Sequence, residues 1–325
     1  MPAFSRHDHF PRSDAARCRS IRRTAADLAA LWSIADAAPG GLTAALDAAA
    51  GLDPGQAIDH LRPWLADPRW LAARLTQALG LLAADPFARP PLRIVGGGGS
   101  GGLILAERGP IRLSLQLIPF DMIASPATVL FLPGRTATRV LAAGGACRTS
   151  HHVALSAAEE AGGFTAGGAA PCRSDPPQPL MVGEIFDLDT TRTAFTVVGA
   201  TGDVLLLELA VQPPSPLPMR AYDIASGRLV HVAASRRDSS FRGMALALLR
   251  TMGCRAAAPL FVEATEAQDF AARWGAMREL VALDPAAAHP RLAAMAASDP
   301  HPEVRAAAAA TLALFTVSKA EPCPA

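Results

Sequence analysis

One tyrosine, one lysine (Lys319) and an aromatic content of only 5% mark this chain of 325 residues. So few aromatics exclude the broad stacking platforms that hold single-stranded nucleic acid. A lone lysine close to the end of the chain excludes mechanisms that need a Schiff-base amine or a phosphate-loop lysine. Neither sign of charge is in excess: 30 basic residues face 29 acidic ones, for a net charge of +1. The basic surplus that neutralises phosphates is therefore missing, and no nucleic-acid partner is expected. Cysteines are few, odd in number and scattered (Cys18, Cys147, Cys172, Cys254 and Cys323), with no C-x-x-C pair. That is neither a disulfide framework nor a zinc ribbon. No uncharged apolar run reaches the roughly 18 residues of a membrane span. The opening residues lack the basic-then-apolar pattern of a secretory leader. A cytoplasmic location without a membrane partner is the expectation.

What the chain does have is apolar material. Half of its residues are hydrophobic and the mean hydropathy is +0.23, enough to bury a core. Alanine fills about a fifth of the positions, so alanine spacing by itself carries little information.

The local grammar changes twice along the chain. Residues 1–19 read as a flexible lead-in and 20–89 as a helical segment. Thr24 looks like a cap for a helix with Leu28, Leu31, Trp32 and Ile34 on one face, ended by Gly40-Gly41. A short helix over 42–51 follows, and Asp53-Pro54 and Asp67-Pro68 each open another, with a cap followed by proline. From Pro90-Pro91 to about residue 236 the segments become short and rich in Val, Ile, Leu and Thr. Strands are expected near 92–95, 103–107, 111–118, 129–132, 136–141, 148–155, 184–188, 194–198, 204–211, 219–223 and 228–233. Residues 112–117 alternate, which predicts one buried and one wet face, and the apolar run 203–211 predicts a central strand. The Gly- and Pro-rich stretch 161–179 reads as a long loop.

Strands at this spacing predict an antiparallel sandwich or barrel. Helical grammar resumes over 237–316, with Phe241, Met244, Ala245, Leu248 and Leu249 as one stripe and 264–283 as a second helix, before a tail at 317–325. The fold class expected is α+β: a central antiparallel sandwich or barrel between N-terminal helices and a C-terminal helical segment.

Two family resemblances bear on function. Asp299-Pro300-His301-Pro302-Glu303-Val304-Arg305, followed by alanines and Leu312, resembles the second helix of a HEAT repeat. Its partner helix would run from about Pro285 to Ala297, so that one repeat spans about 284–316. Local chemistry agrees: Asp299 can cap, the prolines stiffen the entry, and Glu303 suits the positive helix start. Val304, Ala308, Leu312 and Phe315 fall near one face, opposite Leu292 and Met295. The resemblance implies a protein-binding surface, for which Arg291, Glu303 and Arg305 are the candidate residues. A single repeat cannot bury its own faces, so it must dock on the β domain or on neighbouring helices.

In the middle of the chain, Gly145 followed six positions later by His151 resembles the opening of the first cupin motif. The motif's second ligand position holds Val153 rather than His152, its carboxylate would come late, at Glu159 or Glu160, and His231 is the only later histidine of the β region. This implies a cupin-like barrel without its metal. The alternative is a cupin-like enzyme or small-ligand binder holding one divalent transition metal on His151, His152 and His231. Adjacent strand residues point to opposite faces, which opposes that set. The glycine run Gly96–Gly102 satisfies both G-x-G-x-x-G and G-x-S-x-G, but no helix follows it, so neither a dinucleotide site nor a nucleophile elbow is expected. Arg148 and Arg173, beside Cys147 and Cys172, are the only hint of a reactive thiol. The leading expectation is a non-catalytic protein-binding scaffold without a cofactor.

Overall fold

The computed structural model describes residues 15–97, 100–122, 126–235 and 237–317. Four helices come first: α1 (Ala15–Ala37), α2 (Leu42–Ala49), α3 (Pro54–Ala66) and α4 (Arg69–Ala84). Helix α1 begins inside the stretch expected as a lead-in, and Thr24 does not cap it. Its hydroxyl donates instead to the Ser20 carbonyl one turn back, at 3.0 Å. Trp32 is buried, whereas Leu31 and Ile34 face outward, so the apolar stripe of α1 is narrower than its sequence suggests. Asp53 caps α3 as expected, accepting from Gly55 N–H at 2.9 Å and Gln56 N–H at 3.2 Å.

Among the described residues thirteen strands follow: β1 (Arg93–Gly97), β2 (Ser100–Arg108), β3 (Ile111–Ile118), β4 (Thr128–Phe131), β5 (Arg135–Ala142), β6 (Cys147–His152), β7 (Arg173–Ser174), β8 (Gln178–Pro179), β9 (Ile185–Asp189), β10 (Thr193–Val198), β11 (Val204–Val211), β12 (Met219–Asp223) and β13 (Leu229–Ala233). Every pairing is antiparallel. The main sheet has the order β1-β2-β3-β11-β5-β9, with the apolar strand β11 in its interior. A second sheet runs β10-β6-β7, with β8 also on β6, and a third runs β13-β12-β4. Of the glycine run, Gly96 of β1 pairs with Gly101 of β2, and Gly98 and Gly99 lie outside the described residues. The stretch expected as a long loop supplies β7 and β8. Gly227, at φ +67°, turns the chain between β12 and β13, where a side chain would collide with the Cys172 carbonyl.

The centre of the main sheet, at β11 and β5, is covered on both faces. Leu113, Leu115, Leu207 and Leu209 pack against Leu42, Ile58, Leu61 and Leu65 of α2 and α3. Val140, Phe186, Val204 and Leu206, on the other face, meet Val197 of β10. The alternation of β3 is real, and its polar side is only partly wet: Ser114 is buried while Arg112 and Gln116 beside it are half-buried. Ser114 and Thr138 flank Glu208 in register, so a short polar row crosses the inner face. The hydroxyls of Thr136 and Thr138 are buried without a hydrogen-bond partner.

The last five helices are α5 (Arg237–Thr251), α6 (Ala258–Ala264), α7 (Phe270–Leu283), α8 (Pro285–Ser298) and α9 (Pro302–Val317). The sequence reads 264–283 as one helix, but the structure breaks it at 265–269. Asp269 restarts the chain as the cap of α7, accepting from Ala271 N–H at 2.8 Å and Ala272 N–H at 3.2 Å. These helices share a core built on Phe261, Met277, Leu280, Leu292, Val304 and Ala308.

Burial pushes the Glu208 carboxyl above the usual carboxylate range, and Arg112 and Gln116 beside it hold that rise back. A raised native pKa favours the protonated fold, and that stabilisation is lost as pH rises through it. Glu208→Gln is therefore expected to be more stable than the parent at neutral pH. The gap should close below the ordinary glutamate pKa of about 4.3. Urea midpoints measured across pH test this, and a gap that widens in acid would contradict it.

Candidate functional site

The C-terminal helices hold together through arginines that reach loop carbonyls. Arg273, on α7, is buried and makes a two-pronged pair with Asp299: Nε to Oδ2 at 3.0 Å and Nη2 to Oδ1 at 2.8 Å. Its Nη1 donates to the carbonyls of Ala267 at 3.0 Å and Gln268 at 2.8 Å. One side chain thus ties the α6–α7 loop to the α8–α9 loop. Burial raises the Asp299 pKa, but Arg273 and the His301 N–H together bring it below the usual aspartate value. Arg291 donates to Thr265 Oγ1 at 2.6 Å, and Arg305 to the Asp299 carbonyl at 2.6 Å.

The same loops attach the module to the β domain. His301 Nε2–H donates to the Phe164 carbonyl at 2.7 Å, and its ring stacks on Phe270 at 3.8 Å. Glu303 Oε1 accepts from Gly167 N–H at 3.0 Å. Phe164 is fully buried, and its ring lies 5.6 Å from the Arg220 guanidinium, which is also 5.8 Å from the ring of Phe131. Arg220 donates to the Thr191 carbonyl.

Arg291, Glu303 and Arg305, the expected partner-facing residues, all have partners within the chain. Sequence reasoning missed Arg273, His301 and Phe164 as the holding residues. Phe164 carried a signal, being the only large apolar side chain between Ala157 and Pro171. The stripe expected on α5 is split: Leu249 packs on the module's core, whereas Phe241 is 70% exposed, Met244 65% and Leu248 61%; Leu246 turns inward, and Met252, just past the helix, is 71% exposed. Spacings of three and four residues place Phe241, Met244 and Leu248 on one exposed face of α5, and Met252 follows in the next turn.

The histidines do not converge. His151 is buried on β6, within 2.8 Å of Ser174 Oγ at Nδ1 and 3.0 Å of Thr196 Oγ1 at Nε2, so both ring nitrogens are in use. Burial lowers its pKa, helped by His152 and opposed by Asp175. His152 faces the opposite side and pairs with Asp175 at 2.8 Å, and His231 is exposed on β13. The alternative metal set is thus not assembled, and no group of three His, Cys, Asp or Glu among the described residues is placed to hold a metal. Arg148 stacks over Phe186 at 4.1 Å, and burial raises the Cys172 thiol, which works against a reactive thiolate there. Glu159 accepts from the Ser156 hydroxyl at 2.7 Å and Glu160 pairs with Arg192, so the two acids serve a turn.

Removing one partner of a buried ion pair leaves the other charge uncompensated. Arg273→Met is expected to cost about 3–5 kcal/mol in chemical unfolding. Arg291→Met, at a more open site, should cost about 1 kcal/mol. Equal costs would show that Arg273 has no special holding role.

Comparison with known proteins gives one family match. The profile described as HEAT repeats fits residues 228–313, reaching from β13 through α5 into α9. No curated protein matches. Solved structures align at low similarity. Hydroxypropylphosphonic acid epoxidase from S. wedmorenis aligns at 12% identity and a TM-score of 0.25, over 37% of this chain and 55% of that one. CapF with the inhibitor 3-isopropenyl-tropolone aligns at 8% identity and TM-score 0.25, over 38% of this chain and 31% of that one. The 7S globulin of Momordica charantia aligns at 10% identity and TM-score 0.25, over 41% of this chain and 35% of that one. The chain thus spans about half of the epoxidase and about a third of each of the other two. No described helix is long and apolar enough to cross a membrane. The C-terminal third of the chain is therefore similar to HEAT repeats, set beside an antiparallel β domain.

Proposed function

We propose that this protein is a non-catalytic, cytoplasmic interaction scaffold whose C-terminal helical module presents the partner-binding surface. The HEAT match over 228–313 supports the class, and stacked helix pairs of this kind offer extended surfaces to other proteins. The observation that carries the reading is the uncovered apolar face of α5. An exposed stripe of Phe241, Met244, Leu248 and Met252 costs solubility and adds nothing to the module's own core. A partner that buries it accounts for its presence. Docking through Phe164 and His301 gives the module a fixed position from which to present that face. No resident cofactor enters this role, and His151, hydrogen-bonded on both ring nitrogens, is a structural residue in it.

The experiment is affinity capture from source cells with the parent and with a Phe241→Glu/Leu248→Glu variant. Both side chains are exposed, so the variant should melt at the parent's temperature. It should lose the partners that the parent retains. Unchanged partners would overturn the assignment of this face.

A further inference from the structure

We propose that the open inner face of β2 and β3 in the main sheet binds a short-chain carboxylic acid, with its carboxylate on Arg112 and Ser114 and its tail over Ile104 and Val95. This goes beyond the scaffold reading and uses a different part of the molecule. Pairing register puts the residues on one face: Ile104 lies opposite Ser114, Gly102 opposite Gln116, and Val95 opposite Gly102. All of them, with Arg112, line a cavity of about 340 Å³, within the range of ligand sites. The middle of its floor carries no side chain. A Cβ at Gly102 would come within 2.7 Å of the Leu115 carbonyl oxygen, so the backbone there lies bare to an occupant.

Two polar groups on this wall lack a partner. Ser114 is only 4% exposed, yet its hydroxyl makes no hydrogen bond among the described residues and is not sealed from the cavity. A ligand oxygen would satisfy it. Arg112 is half-buried, and among the described residues its guanidinium has neither an ion-pair nor a hydrogen-bond partner. It is the only charged side chain lining the cavity. Two acids lie near it. Glu107, opposite Arg112 in register, is held by Arg93. Glu208, opposite Ser114 on the other side, is pushed by burial toward its protonated form, with Gln116 beside it. The wall therefore offers a cation and a hydroxyl, which suit the planar, two-oxygen geometry of a carboxylate. Val95 and Ile104 supply apolar contact for an alkyl tail. A single cation and no aromatic ring on the wall favour a monocarboxylate over a phosphate or a sugar.

The test is calorimetry on the full chain with hexanoate, against hexanol and hexylamine. Hexanoate is expected to bind about tenfold or more tightly than the alcohol or the amine. Arg112→Gln removes the cation and should weaken hexanoate about tenfold or more. Ser114→Ala should weaken it about fivefold. Val95→Trp places a large ring at the mouth of the cavity. Val95 is 39% exposed on the edge strand β1, so the melting temperature should hold while hexanoate binding is lost. Glu208→Gln takes away a neighbouring acid and should bind hexanoate as tightly as the parent or more tightly. The proposal is overturned if hexanoate binds no better than hexanol, or if Arg112→Gln or Val95→Trp binds it like the parent. Weaker binding by Glu208→Gln would also overturn it. Should Arg112→Gln melt early, Val95→Trp decides. None of these outcomes bears on the α5 face, so the scaffold reading stands or falls separately.

Discussion

Phe164 joins the β domain to the helical module, its ring and its carbonyl facing different partners. Its ring sits in the β domain beside the buried Arg220 guanidinium, and its carbonyl accepts from His301 of the helical module. A buried charge is costly unless it is met by hydrogen bonds and polarisable neighbours. Arg220 donates to the Thr191 carbonyl with Tyr222 and Glu159 nearby, and the ring faces of Phe131 and Phe164 add to that compensation. Seating the ring fixes the backbone at residue 164, and the fixed carbonyl then orients His301.

Within the module, packing and specificity are divided between different residues. Helices α8 and α9 meet through Ala288, Leu292, Val304 and Ala308. Alanine buries little area, so contacts of this kind favour close approach without strongly selecting one register. Selection falls on the loops. Arg273 reaches two carbonyls and a carboxylate in different loops, a pattern that only one relative placement of α7, α8 and α9 can satisfy. Planar, multi-donor recognition is what arginine does and lysine does not. A chain with a single lysine is built for such ties.

How far the sequence led follows from the length of each pattern. Segments with several alternating or apolar positions, such as 111–118 and 204–211, came out as strands β3 and β11 with β11 inside the sheet. Of the two helix starts marked by Asp-Pro, Asp53 came out as the cap, because capping is a local interaction, whereas at Asp67-Pro68 the helix begins one residue late at Arg69 and Asp67 does not occupy the cap position. The two-residue strands β7 and β8 left no pattern, since only pairing with β6 defines them. Burial was harder to read than structure type. Alternation shows that β3 has two different faces, but whether its polar face meets water depends on the strands stacked over it. The expected partner-facing charges, Arg291, Glu303 and Arg305, were legible as charges, whereas their engagement within the chain depends on loops far away in sequence.

The α5 stripe separates folding from function most clearly. Its spacing satisfies the rule for a core-facing helix, and the core of the module nevertheless takes Leu246 from the opposite side. Where a local pattern and the tertiary structure disagree, the residues answer to something other than the fold. The polar row on the inner face of the main sheet conflicts with folding in the same way, with a buried carboxyl and a buried hydroxyl where apolar residues would pack. Each feature alone is a small loss of stability, and each is what a surface shaped for an occupant would require.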